Sequence, residues 1–197
     1  MNNIDWLFST PIAEYDLSEY LTDEVMEYFL TAEADFETYE DPGSNTLVEG
    51  IRAWSTFEDS QNDPRIYPLF EKFQECVDEY SRNIGLKPTK IFDAWVNYLT
   101  QDGAVDCHRH YSGVVSAAFY PYAPEGSSDI TFISPLEGFM MNSMHLSDND
   151  AGIGKYTSNI RHYSAQTGKL VLFPSWLQHY VSPNKCPLRI TLSFNTK

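Results

Sequence analysis

Three histidines and an arginine in the second half of this chain have the types and spacing to do chemistry together. His108 and His110 flank Arg109, His179 follows the apolar run Leu170–Phe173 and a Pro174-Ser175-Trp176 turn, and Arg189 comes ten residues after His179. Side chains alternate on an extended strand. A strand through His108 and His110 therefore puts both imidazoles on one face, at the separation of two cis ligands to one metal ion. Imidazole suits Fe, Zn, Cu and Ni. The pair alone equally describes a surface or core His-x-His. His179 supplies the third ligand such a site needs, set against its reading as a core histidine with its ring satisfied.

Arg189 discriminates between these readings. In Arg189-Ile-Thr-Leu-Ser-Phe-Asn195, alternation puts Ile190, Leu192 and Phe194 on one face and Arg189, Thr191, Ser193 and Asn195 on the other. With the apolar row packed on helices, the polar row lines the interior. A buried guanidinium needs an anion. Its planar fork suits a carboxylate held by two prongs, and Thr191 adds a hydroxyl donor. Either a bound carboxylate or one of the chain's 28 acidic residues can serve. Three imidazoles beside such a cation suit an iron site next to an anionic cosubstrate.

The elements that must position these groups are short. Trp6 to Tyr15 reads as a strand whose proline suits a sheet edge. Ser18 to about Ala34 is a helix with Ser18 as its cap and Leu21, Val25, Tyr28 and Phe29 as its apolar stripe. Residues 37–50 are acidic and turn-rich. Arg65–Ile84 is a second helix, with Ile66, Leu69, Phe70, Phe73, Val77 and Tyr80 on one side and Gly85 near its end. After Pro88 come β-rich runs at Ile91–Leu99, Val114–Tyr120, Ile130–Ile133, Leu170–Phe173 and Leu188–Phe194, divided by turn signals. The pattern predicts a single domain over residues 1–197, mainly β with flanking helices. Residues 1–88 form a helical support, and 89–197 form an antiparallel barrel or jelly roll with both N-terminal helices packed on one sheet. Residues 136–165, rich in glycine, asparagine and methionine, read as a loop insertion and lid. His145 and His162 fall in it and read as solvent-exposed. Cys107 reads as a small packed hydrophobe and Trp176 as a packing residue.

Composition bounds the function. The chain has 197 residues, is 42% apolar and carries a net charge of −15, which excludes bulk nucleic-acid binding through a basic footprint. Three cysteines, Cys76, Cys107 and Cys186, are too few and scattered for a disulfide framework. No signal peptide is read at the start, and no apolar run approaches the ~18 residues of a membrane span. A reducing cytoplasm is the expectation. Oligomeric state is left open, a homodimer included.

Taken together, the motifs resemble those of the 2-oxoglutarate and Fe(II)-dependent oxygenases, and within them a bacterial and phage family. The residues that carry the resemblance are Trp95-Val-Asn97, Gly103, His108-Arg-His110, Ser112-Gly113, Ser134-Pro135, Phe173-Pro-Ser-Trp-Leu-Gln-His179-Tyr-Val-Ser-Pro-Asn184 and Arg189-Ile-Thr-Leu-Ser-Phe-Asn195. They cover roughly Ile91 to Asn195, and the C-terminal motif is the specific part. The resemblance implies a double-stranded β-helix, Fe(II) held by His108, His110 and His179, and 2-oxoglutarate and O2 as cosubstrates. Arg189 would take the distal carboxylate of 2-oxoglutarate with Thr191, and Tyr98, Tyr120 and Asn97 would line the same pocket. No catalytic residue beyond the metal site is implied. Better-known members carry His-x-Asp, so three imidazoles leave this site one positive charge higher, and Asp106 stands as an alternative ligand beside His108 and His179. The small residues within Val114–Tyr120 imply a wider substrate side. Substrate class stays open between a small molecule and a peptidyl side chain. Two competing readings are a cupin-like metal-binding protein without oxygenase activity and a non-catalytic β interaction domain.

Overall fold

The computed structural model describes residues 9–31, 63–136 and 159–197. Among them the order is β1 (Ala13–Asp16), a 3-10 turn (Ser18–Tyr20), α1 (Asp23–Thr31), α2 (Tyr67–Ile84), β2 (Ile91–Thr100), β3 (Val105–His108), β4 (Val115–Tyr122), β5 (Ile130–Ile133), β6 (Ile160–Tyr163), β7 (Lys169–Pro174), β8 (His179–Val181) and β9 (Leu188–Thr196).

Both helices form where apolar periodicity predicts, with shifted starts. Ser18 does not cap α1. Its N–H donates to Asp16 Oδ1 at 3.0 Å, and the chain makes a single 3-10 turn. Thr22 takes the capping role, its Oγ1 accepting from Val25 N–H at 3.3 Å. The helix buries Val25, Tyr28 and Phe29. In α2, Asp63 accepts from Arg65 N–H at 2.9 Å and pairs with its guanidinium, which makes a turn of residues expected to be helical. The helix then buries Leu69, Phe70, Phe73, Val77 and Tyr80 and ends at Gly85, whose φ of 75° is the left-handed cap that glycine adopts without strain.

The strands form two antiparallel sheets, a five-stranded one in the order β1-β7-β4-β9-β2 and a four-stranded one in the order β3-β8-β5-β6. This is the expected jelly roll. β1 lies at an edge, as the proline before it suggested. Ala94, Val96, Tyr98, Val115, Ala117, Phe119, Leu170, Leu172, Ile190, Leu192 and Phe194 form one core with the helices, on the outer face of the larger sheet. Between the sheets lies a second core of Ala118, Tyr120, Ile130, Phe132, Val171, Phe173 and Leu177. The alternation read along β9 thus holds: its apolar row meets the helices, and Arg189, Thr191, Ser193 and Asn195 are buried on the inner side.

Two expectations change here. The connection read as one loop over 136–165 already contains β6, which pairs with β5 from Ile130↔Tyr163 to Ile133↔Ile160. Ile160-Arg-His-Tyr163 is too short and polar to announce a strand, and only pairing with β5 makes it one. Residues 137–158, with His145 and the methionines, lie outside the described residues. Cys107 is exposed rather than packed, because β3 is an edge strand with one neighbour. No helix among the described residues is long and apolar enough to cross a membrane.

Gly168 ties the N-terminal segment to the sheet. Its N–H donates to Tyr120 O and its carbonyl accepts from Leu17 N–H, both at 2.8 Å. It has φ +85°, and a Cβ there would sit 2.6 Å from Ser18 Cα. Gly168→Ala is therefore expected to cost ~2 kcal/mol or more, combining backbone strain with a clash against main chain. Urea unfolding measures this, and a loss well under ~1 kcal/mol would show that the Ser18 turn yields freely.

Candidate metal centre

β3 and β8 pair so that His108 stands directly opposite His179. His108 is the last residue of β3, and His110 lies beyond it. The two are therefore not alternate residues of one strand, as the spacing suggested. The chain bends after His108, and His110 N–H donates to Ser175 O at 2.9 Å, in the turn that leads to His179. That backbone bond brings the third imidazole to the other two. Ring centroids are 4.3 Å apart for His108 and His179, 5.2 Å for His108 and His110, and 5.2 Å for His110 and His179. One nitrogen from each ring lies within 4.8 Å of the others, a span that one ion at ordinary metal–nitrogen distances can bridge.

The partners of the rings fix which nitrogens are free. His108 Nδ1 lies 2.7 Å from Asp106 O, and His179 Nδ1 lies 2.9 Å from Leu177 O. Backbone carbonyls only accept, so both Nδ1 atoms carry the proton and both Nε2 atoms keep a lone pair. His110 Nδ1 lies 2.6 Å from Asn195 Oδ1 and 3.2 Å from Ser116 Oγ. Such outer partners orient metal-ligating histidines. Burial pushes the His179 pKa down to about 3, with the neighbouring His108 adding to the effect. Burial also lowers His108 and His110, opposed by the Asp106 carbonyl in the first and by Asn195 in the second. Each shift favours the neutral ring, the state in which imidazole ligates a metal. Asp106 is exposed and serves His108 through its backbone carbonyl, so the convergent set is His108, His110 and His179.

Aromatic walls close the site. Phe173 and Phe132 lie 4.8 Å and 6.0 Å from His179, and Trp95 lies 5.5 Å from His110. Trp176 is 51% exposed. It sits at the tip of the turn between β7 and β8, where Leu177 rather than the tryptophan enters the core.

Deeper between the sheets is a buried cation. Arg189 is 3% exposed, and no carboxylate pairs with it among the described residues. Arg189 Nε, Thr191 Oγ1 and Tyr120 Oη are all buried without a hydrogen-bond partner. The guanidinium carbon is 4.9 Å from the Tyr120 ring centre, near enough to act on the phenol electrostatically but without the alignment of a hydrogen bond. Burial raises the Tyr120 phenol, and Arg189 works against that rise. Asn97 pairs with Thr191 across β2 and β9 and shares its inner face. Tyr98 does not. It pairs with Ile190, and its hydroxyl donates to Phe29 O at 2.5 Å in the helical core. One position along a strand reverses the face, and that removes Tyr98 from the pocket. The residues that sequence reasoning missed are Asp93 and Ser116, which reach the site through Asn195. Asp93 shares the inner parity of Asn97, and that parity was the signal available for it.

No curated protein matches the chain. Its fold is that of a Pseudomonas putida prolyl-4-hydroxylase, with TM-score 0.61 at 13% identity over 97% of this chain and 94% of that one. A prolyl hydroxylase from Trichoplax adhaerens, solved with a hypoxia inducible factor peptide fragment, gives TM-score 0.61 at 13% identity over 96% and 84%. HygX from Streptomyces hygroscopicus, solved with nickel and 2-oxoglutarate bound, gives 0.55 at 12% over 95% and 82%. Residues 93–195, which hold all three imidazoles and every pocket residue described above, match the family model described as "Putative 2OG-Fe(II) oxygenase". The chain belongs to the 2-oxoglutarate and Fe(II)-dependent oxygenase family, whose members use Fe(II), 2-oxoglutarate and O2.

Proposed function

We propose that His108, His110 and His179 hold Fe(II) through their Nε2 atoms and that Arg189, with Thr191 and Tyr120, takes the distal carboxylate of 2-oxoglutarate, making the chain a dioxygenase that hydroxylates a small molecule or a peptidyl side chain. When bound, the metal and cosubstrate supply oxygen activation coupled to oxidative decarboxylation. The chain's own groups bind, orient and exclude water. The three rings present lone pairs to one point. Phe132, Phe173 and Trp95 keep the surroundings apolar. Asn97 flanks the pocket from β2.

The observation that carries this reading is the trio of buried, unpartnered polar groups, Arg189 Nε, Thr191 Oγ1 and Tyr120 Oη. A guanidinium out of water with no anion is costly, and the unpartnered hydroxyls of Thr191 and Tyr120 beside it suit a carboxylate. A cupin-like metal binder needs the imidazoles but gives no reason for the cation. The small-molecule or peptidyl class is supported by neighbours of this fold, HygX solved with hygromycin B and the Trichoplax enzyme with a peptide fragment. The net charge of −15 and three cysteines that form no disulfide fit a cytoplasmic protein with a substrate other than bulk nucleic acid.

Calorimetric titration with Mn(II) tests the ligands. His179→Ala is expected to lose affinity by orders of magnitude with the fold intact, and stoichiometric tight binding in that variant would remove the assignment. Arg189→Met should keep the metal but weaken 2-oxoglutarate by ~2–5 kcal/mol, as for breaking a buried charge pair, and Arg189→Lys should recover only part. In the metal-containing wild type 2-oxoglutarate should raise the melting temperature, while in the metal-free protein it should not. Equal shifts in wild type and Arg189→Met would place the cosubstrate elsewhere.

The neutral rings add a pH dependence. Below the ordinary histidine value of 6.5 the unfolded chain takes up protons that the folded chain refuses at His179. Fewer protons on the folded state means stability falls as pH drops from 6.5 toward the folded value of about 3. Metal-free wild type should therefore lose more unfolding free energy between about pH 7.5 and about pH 5 than His179→Gln, a comparison in which the titrating groups outside the imidazole trio cancel. Equal losses would show that the ring is not held neutral by its burial.

A further inference from the structure

The outer partners of the three imidazoles are not alike. His108 and His179 each donate Nδ1–H to the carbonyl two residues before them in their own chain segment. His110 has side chains instead. Its Nδ1 faces Asn195 Oδ1 at 2.6 Å and Ser116 Oγ at 3.2 Å, and Ser116 Oγ is itself 2.7 Å from Asn195 Oδ1 and 2.8 Å from Ser175 Oγ. The other end of the same amide, Asn195 Nδ2, donates to Asp93 Oδ2 at 3.4 Å. β2 and β9 place Asp93 opposite Asn195, and β4 and β9 place Ser116 opposite it from the other side. Asn195 is 4% exposed.

An amide can face a ring with either end, and the two ends demand opposite tautomers. Asp93 removes that freedom, because an ionised carboxylate only accepts and so draws the NH2 end toward itself. The oxygen is left facing His110, which must then carry its proton on Nδ1 and keep Nε2 bare. We propose that Asn195, oriented by Asp93, is a positioning residue that sets the tautomer of His110 and relays the negative charge of Asp93 toward the metal through two hydrogen bonds. The inference rests on the ligand assignment above. A site of three neutral imidazoles lacks an anionic ligand, and a carboxylate–amide–imidazole chain supplies the charge one residue farther out. Hydrogen bonds in such a chain polarise one another at low local dielectric.

The first test needs neither metal nor variant. Long-range proton–nitrogen NMR on metal-free wild type with labelled histidine should show His110 protonated at Nδ1, and protonation at Nε2 would overturn the proposal. The second test is Mn(II) affinity by calorimetry. Asn195→Ala should weaken binding about 10–100-fold, the usual cost of removing an outer partner of a ligating histidine. Asp93→Asn, which keeps the shape of the side chain and guards against a variant that fails to fold, should weaken it several-fold. The double variant Asp93→Asn with Asn195→Asp exchanges the two groups, puts the charge against His110 and should bring affinity back to within about threefold of wild type. A residue that served only as scaffold would not be rescued by the exchange. Affinities of Asn195→Ala and Asp93→Asn within about twofold of wild type, with His179→Ala still abolishing binding, would refute the proposal and leave the ligand assignment standing. Undiminished binding in His179→Ala would instead remove the ligand assignment, with the tautomer measurement still deciding the role of Asn195.

Discussion

Arg189 is the constraint around which this fold is arranged. A guanidinium 3% exposed, with no carboxylate paired to it among the described residues, is a standing electrostatic cost. It is tolerable because the rest of the domain is overdetermined. The inner face of β9 must be polar to carry Arg189, Thr191, Ser193 and Asn195, so its outer face must supply the packing. Ile190, Leu192 and Phe194 do so against Phe73, Phe119 and the other residues of the helical core. The helices compensate on one face of the larger sheet for what its other face gives up.

β9 also sets a length scale. Arg189 and Asn195 are six residues apart, and at ~3.3 Å per residue they stand roughly 20 Å apart along the strand. The cation is at one end and the partner of His110 at the other, with Thr191 and Ser193 between. A single strand thus carries both the buried cation and the side chain that His110 faces. The smaller sheet brings His108 and His179 to that axis through one cross-strand pair, and the Ser175 carbonyl brings His110.

Much of this was legible in the residues. Alternation in Arg189–Asn195 assigned inner and outer faces because a strand has one period and the helices above it demand one chemistry. The spacing of Ile66, Leu69, Phe70, Phe73, Val77 and Tyr80 gave α2 for the same reason. What failed depended on contacts remote in sequence or on local details that residue type does not fix. His108-Arg-His110 looked like a strand motif, but convergence comes from a bend and a hydrogen bond to Ser175, 65 positions away in the chain. Tyr98 was assigned to the pocket by residue type, whereas its parity with Ile190 sends it to the helices. Ser18 lost its capping role to Thr22 because the chain makes a 3-10 turn over Ser18–Tyr20 and the helix starts only at Asp23. β6 was invisible because nothing in its four residues favours a strand until β5 lies beside it.

Among the described residues β3 is an edge strand of the smaller sheet and pairs only with β8. It therefore holds His108 by one ladder, with register only at Val105↔Val181 and His108↔His179, and its residues are at best half-buried. None of them belongs to either hydrophobic core. An edge strand thus carries one of the three imidazoles, while His179, opposite it, also pairs with β5 on its other side. The imidazole trio is therefore built across the outermost ladder of the smaller sheet, with a different support for each ring: one ladder for His108, two for His179 and the Ser175 carbonyl for His110.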